Sequence, residues 1–204
     1  QHYTAEAVQA EMNVIAQNYL KMLGLTLALY YGLRPVGYFL KFPPEIVPYL
    51  AAISIPSALI GIGVFLYCRI RQLPQVKIEL TTFFLGCLVI LNVFGNMYLT
   101  GNKNQFFSAG LAIIVFGIST TQLRVWFALV LLCVATFIVA AANMPVLGVE
   151  VISLLIGCLL ISIAAFFTRA PAIRKRVELQ LQLEDKADSL DRKKRRVGKE
   201  CRSR

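Results

Sequence analysis

Histidine is almost missing from this chain, and charge is thin. A single imidazole, His2, among 204 residues leaves no pair to hold a metal or haem and no histidine base for catalysis. The five cysteines show no paired metal-ligand spacing. Cys68, Cys87, Cys133 and Cys158 lie in or at the ends of apolar runs, where thiols serve as small packing groups, and Cys201 falls in a basic tail. Neither a phosphate-binding glycine loop nor a nucleophile beside a base is present. Gly61-Ile62-Gly63 lies inside an uncharged run, where close helix contact explains it better than phosphate binding. The sequence therefore predicts no catalytic residue, no metal and no cofactor within this chain.

Apolar residues fill the space that charge leaves. They make up 57% of the chain against 16% charged, and the mean hydropathy is +0.66, far from the balance of a soluble globular domain. Runs with few or no charges cover Ile46 to Cys68, Leu80 to Asn102, Asn104 to Leu123, Val125 to Val149 and Val151 to Thr168, each near the roughly 20 residues a spanning helix needs. A weaker one, Tyr19 to Leu40, contains Lys21 and, late in the run, Arg34 with Pro35, so that either the helix is short or Arg34 reaches toward the headgroups. The expectation is an all-α, polytopic membrane bundle of about six transmembrane helices over residues 19–168. With both termini cytoplasmic, nine basic residues near span ends (Lys21, Arg69, Arg71, Lys77, Arg124, Arg169, Arg174, Lys175, Arg176) fall inside and three (Arg34, Lys41, Lys103) outside, which is the bias that sets topology. The connections expected outside, around Lys41 and Lys103, are too short to form a ligand-binding domain, so any stimulus would be read in or close to the bilayer.

Before the first run, residues 1–18 carry Tyr3, Val8, Met12 and Ile15 at helical spacing, which predicts an amphipathic helix at the inner membrane surface. A cleavable signal peptide is not expected, for there is no basic start followed by a short apolar core. The chain opens at Gln1, as a processed or truncated gene product would.

Few polar residues interrupt the apolar runs. Asn92 and Asn96 stand four apart on one helix face and require partners in hydrocarbon. They are read either as interhelical hydrogen bonds that fix packing or as donors and acceptors of a small-ligand or headgroup pocket. Glu150, at the outer start of the last run, either pairs with Arg34 or reaches headgroup water. Pro56, between Ser54 and Ser57, is a candidate kink whose freed carbonyls the serines would partly satisfy.

After Arg169 the chain changes character. Residues 169–190 read as a cytoplasmic, coiled-coil-like signalling helix started near Pro171. Ile173, Val177 and Leu181 recur every four residues, and Leu183, Ala187 and Leu190 follow in a second phase. The change of step resembles a stutter, and a parallel homodimer through this helix is expected; the other reading is a solvated amphipathic helix on the membrane surface. Residues 191–204 hold a net +6 of the chain's formal +10. Arg195 to Arg204 resembles the conceptual translation of a common sequencing adapter, which implies authentic coding sequence ending near Leu190; the competing readings are a nuclear localisation signal, a nucleic-acid arm or a polybasic lipid patch. The excess charge elsewhere is what inward-facing loops need, so nucleic acid is not an expected partner. The expected partners are the lipid bilayer and a second copy.

The stretch Leu179-Gln180-Leu181-Gln182-Leu183-Glu184-Asp185-Lys186-Ala187-Asp188-Ser189-Leu190 is similar to linkers that precede the GGDEF domain of diguanylate cyclases and, to a lesser degree, to those before histidine-kinase dimerisation helices. With the helical runs upstream, the layout resembles the N-terminal six-span region of bacterial membrane sensors. That resemblance implies a sensory input module in the bacterial cytoplasmic membrane, joined to an output enzyme whose catalytic motifs lie outside this chain. Two other readings stand beside it. A small transporter would show inverted repeats and broken spans at matching positions, whereas Pro56 has no counterpart in span five; a purely structural membrane protein needs no such features.

Overall fold

A computed structural model describes the backbone of residues 5–101, 105–143 and 149–202, and the side chains in those ranges except at 5, 6, 105, 149, 150, 185, 188 and 191–202. The described residues form six helices and no strand: α1 (Ala5–Lys41), α2 (Val47–Ile70), α3 (Gln75–Thr100), α4 (Gln105–Ser119), α5 (Leu123–Asn143) and α6 (Val149–Arg202). The all-α expectation holds. Four helical segments are long and apolar enough to cross a membrane: Val47–Ile70, Gln75–Thr100, Leu123–Asn143 and Val151–Glu184. Two expected spans fall short of that standard for different physical reasons. Helix α4 has 15 residues, about 22 Å at a rise of about 1.5 Å per residue, against a hydrocarbon core of about 30 Å. Helix α1 is long enough, but its expected span, residues 19–40, carries Lys21 and Arg34 together with Thr26, Pro35, Tyr19, Tyr30, Tyr31 and Tyr38.

The helix ends follow from local chemistry. Pro74 caps α3 in extended conformation, while Gly101 closes the same helix in the left-handed region, φ 61°, with its N–H on the Met97 carbonyl at 2.9 Å; a residue without Cβ adopts that conformation freely. Prolines inside helices do not end them. Helix α1 runs through Pro35, α2 through Pro56 and α6 through Pro171. Ser57 Oγ donates to the Ile53 carbonyl at 2.9 Å, one residue along from the Ala52 carbonyl that Pro56 frees.

Residues 5–18 are the first turns of α1 and not a separate helix. Their apolar face is the expected one, with Val8, Met12 and Ile15 half-buried and Ala16 buried. Helix α1 continues from it without a break into its apolar part. Helix α6 likewise joins the last apolar run to the charged segment as one helix of 54 residues.

Two helix pairs pack at small-residue contacts. Gly24 on α1 and Gly61 on α2 meet backbone to backbone: a Cβ at Gly61 would lie 2.7 Å from the Gly24 carbonyl oxygen, and one at Gly24 would lie 2.9 Å from that of Gly61. Gly63 has nothing near it, so only the first glycine of the pair makes the contact expected from sequence. On the other side Gly110 and Gly117 of α4 press against Cys158 and Ser162 of α6. Helix α3 runs between the two pairs. Its Ile78 and Leu85 join α1 and α2 in one core, and its Ile90, Val93, Phe94 and Met97 join α4, α5 and Phe166 of α6 in another.

Candidate functional site

Asn92 and Asn96 are buried, at 0% and 1% exposure, and they close a polar network between α1, α2 and α3. Asn92 Nδ2 donates to Ser57 Oγ at 2.7 Å and to the Leu88 carbonyl at 2.9 Å. Its Oδ1 accepts from Ser54 Oγ at 3.4 Å, and Ser54 shares a 2.9 Å hydrogen bond with the Tyr38 hydroxyl. Asn96 Nδ2 donates to the Asn92 carbonyl at 2.6 Å. No buried side-chain nitrogen or oxygen among the described residues lacks a partner. A network whose buried atoms find partners among its own members holds helices in register. Of the two sequence readings of these amides, the geometry supports packing.

Arg34 sits beside this network. Its guanidinium lies over the Tyr30 ring at 5.4 Å and the Tyr38 ring at 5.7 Å, one helical turn away on either side, so the cation rests on aromatic faces while its helix continues to Lys41. The Glu150 side chain, and with it the expected Arg34–Glu150 pair, lies outside the described residues.

A second polar knot ties α4, α5 and α6, and no pattern in the sequence singles it out. Ser162 Oγ donates to the Ile113 carbonyl at 2.8 Å and accepts from Trp126 Nε1 at 3.1 Å. The Trp126 ring stacks on Phe166 with centroids 4.9 Å apart. Its signals in the sequence are faint: one serine in an apolar run and the chain's single tryptophan. Gln17 makes a third tie at the end expected to be cytoplasmic. Its Nε2 donates to the Cys68 carbonyl at 2.8 Å and the Arg71 carbonyl at 2.6 Å, and its Oε1 accepts from the Leu73 N–H at 2.9 Å. One amide thereby satisfies orphan carbonyls at the end of α2 and fixes the turn into α3. At the same level Arg169 of α6 lies 4.3 Å from the centre of the Tyr19 ring of α1.

Between the two cores is a cavity of about 280 Å³ lined by α1, α3, α4 and Leu129 of α5. Its middle is mostly apolar, with Leu27, Val89, Ala112 and Phe116 beside the hydroxyl of Thr26, and no charged residue among those described lines it. Thr82, Ser119 and Thr120 stand at one end, Tyr30, Tyr31 and Ser108 at the other. Neither Asn92 nor Asn96 reaches it. A separate, shallower groove runs along the exit of α6, between Val8 and Met12 of α1, Thr121 and Leu123, and Phe166 to Arg174.

The signalling-helix residues divide into two faces. Ile173 and Leu181 are half-buried and Val177 is buried, whereas Leu183, Ala187 and Leu190 are exposed, as is Leu179. The antiparallel register set by Arg169 on Tyr19 brings Val177, eight residues on, level with Glu11 and its half-buried neighbours Val8 and Met12. The first three apolar residues thus turn toward α1 of the same chain. The second three point away from it.

Comparison with protein-family profiles, curated proteins and solved structures finds no match.

Proposed function

We propose that this chain is a membrane-embedded input module that passes a signal through α6 to a cytoplasmic output domain attached after Leu190, with a diguanylate cyclase as the output favoured by the linker resemblance. One observation carries the reading: α6 is continuous from its apolar, membrane-sized part into the charged segment, across Pro171. A helix transmits rotation or translation along its axis only where it is unbroken, and an unstructured joint at residues 168–172 would dissipate both.

Two further features support a dimeric rod. Leu179, Leu183 and Leu190 occupy d and a positions of one heptad register, with Lys186 in the remaining core slot, and all three leucines are exposed at 51%, 67% and 59%. The flanking e and g positions are Gln180, Ala187, Gln182 and Ser189, so two parallel copies would bring no like charges together there. On the opposite face Val177 is buried, at the level of the first turns of α1. Chemistry follows from the rod: two output domains held on one symmetry axis would have their active sites brought together or parted by a small rotation of α6.

The test is a phase scan. The catalytic domain of a diguanylate cyclase is fused after Leu190, and one to seven alanines are inserted at the junction. Each added residue rotates the output by about 100°, so cyclic di-GMP production is expected to rise and fall with the helical repeat. Equal activity at every insertion length would defeat the reading.

A further inference from the structure

We infer that the cavity between α1, α3 and α4 is a binding site for a neutral lipophile taken from the bilayer, a hydrocarbon chain or ring bearing one uncharged hydrogen-bond donor; its coupling to signalling rests on the input-module reading above, whereas its occupancy does not. Size, access and lining chemistry agree on that ligand. Its volume, about 280 Å³, is roughly twice that of the apolar cavity, about 150 Å³, that admits benzene. Its mouth lies between α1 and α4, where the wall residues Tyr30, Leu111 and Val115 are 53%, 46% and 44% exposed on the outside of the bundle. Tyr30 lies in the uncharged stretch Met22–Leu33 of α1 and Leu111 and Val115 in the apolar α4, so the mouth opens to acyl chains rather than to water.

The absence of charge from the lining excludes an ionic ligand, because an ion at membrane depth needs a counter-ion. Apart from the Thr26 hydroxyl on the α1 wall, polarity is confined to the ends. At one of them the donors are already spent: Thr82 Oγ1 donates to Ile78 O at 2.7 Å, Ser119 Oγ to Val115 O at 2.7 Å and Thr120 Oγ1 to Phe116 O at 2.5 Å. Each hydroxyl oxygen keeps accepting capacity. A ligand hydroxyl or amide N–H can donate to them, and a purely acceptor head cannot.

Helix α4 links the site to α6. Ser108, Ala112, Val115 and Ser119 line the cavity, while Gly110, Ile113 and Gly117 hold α6 through close contact and the Ser162 hydrogen bond. At about 100° per residue the two sets lie on opposite sides of the helix. A lipophile that fills one side pushes α4 against α6 with no slack at the glycines to absorb the motion.

The experiment uses the full chain in phospholipid nanodiscs and a long-chain alcohol carrying a diazirine in its hydrocarbon tail. Labelled peptides are read by mass spectrometry. Saturable labelling of α1, α3 and α4 is expected, competed by dodecanol and not by dodecyltrimethylammonium. Val115→Trp, which fills the mouth from its exposed side, abolishes the labelling, and Thr82→Val weakens it. Val139→Trp, on the outer face of α5 at 61% exposure, leaves it intact and controls for a bulky ring in the same bundle. Labelling that rises linearly with probe and is equal in wild type and Val115→Trp would show bulk lipid contact only and overturn the site. Competition by the cationic amphiphile as strong as by the alcohol would overturn the assigned ligand class. Because labelling needs no output domain, failure of the phase scan leaves this result standing, and the converse holds.

Discussion

Asn92 is the residue on which three helices converge, and its loss has a calculable direction. Asn92→Leu removes one hydrogen bond each from Ser54 and Ser57, which keep the Tyr38 hydroxyl and the Ile53 carbonyl as partners. Destabilisation of about 1–3 kcal/mol is expected from two lost hydrogen bonds at about 0.5–1.5 kcal/mol each, measured by denaturant titration in micelles. Labelling of the lipophile cavity is expected to persist, because Asn92 does not line it. Combining Asn92→Leu with Ser57→Ala is expected to cost less than the sum of the two, since both break one hydrogen bond. At Trp126, substitution by Phe keeps a ring to stack on Phe166 and removes the Nε1–H donated to Ser162. A loss of about 1 kcal/mol is expected in the same titration. Residues of this kind differ in how far the sequence exposes them. Asn92 and Asn96 are legible because an amide in an apolar run must be satisfied inside the bundle. Gln17 is not, since its partners are backbone groups 51 to 56 positions away and a glutamine near a helix start reads equally well as solvated. Ser162 is hidden for the same reason, its acceptor being the Ile113 carbonyl 49 positions back.

Among the elements, the α1–α2 crossing tolerates least. Its glycines face backbone atoms, which cannot step aside as a side-chain tip can, so Gly61→Leu must drive the helices apart. The expected cost exceeds the usual overpacking range of about 1–3 kcal/mol, and protease sensitivity at the α2–α3 turn is expected to rise as Gln17 is pulled from Cys68 and Arg71. Helix positions and the turns at Pro74 and Gly101 are legible in hydropathy and in the punctuation of proline and glycine. Helix lengths are less so. Residues 1–18 show a periodic apolar face in the sequence, but periodicity states that a face is covered and not what covers it; of this face Val8, Met12 and Ile15 are half-buried against the protein, and Tyr3 lies outside the described residues. The change of step after Leu181 has a similar explanation. It resembles a stutter between coiled-coil phases when read as one seam, and in the structure it separates a face turned toward α1 from a face left open.

At the scale of the whole molecule, two cores meet along α3, and the groups that tie them sit at different depths. The amide network holds α1 to α3, the Ser162 knot holds α4 to α6, and the cavity separates the two. The arrangement makes α4 the short wall between the cavity and the long helix α6. The proposed signalling role depends on α6 acting as one rod in a parallel pair. The most direct test is a cysteine scan of residues 177–190 in native membranes, in a chain whose own cysteines are replaced by alanine, with disulfide dimers read after mild oxidation. The account predicts dimers at Leu179, Leu183 and Leu190 and none at Val177 or Leu181; cross-linking strongest at Val177 and Leu181, or spread evenly without helical period, would contradict it.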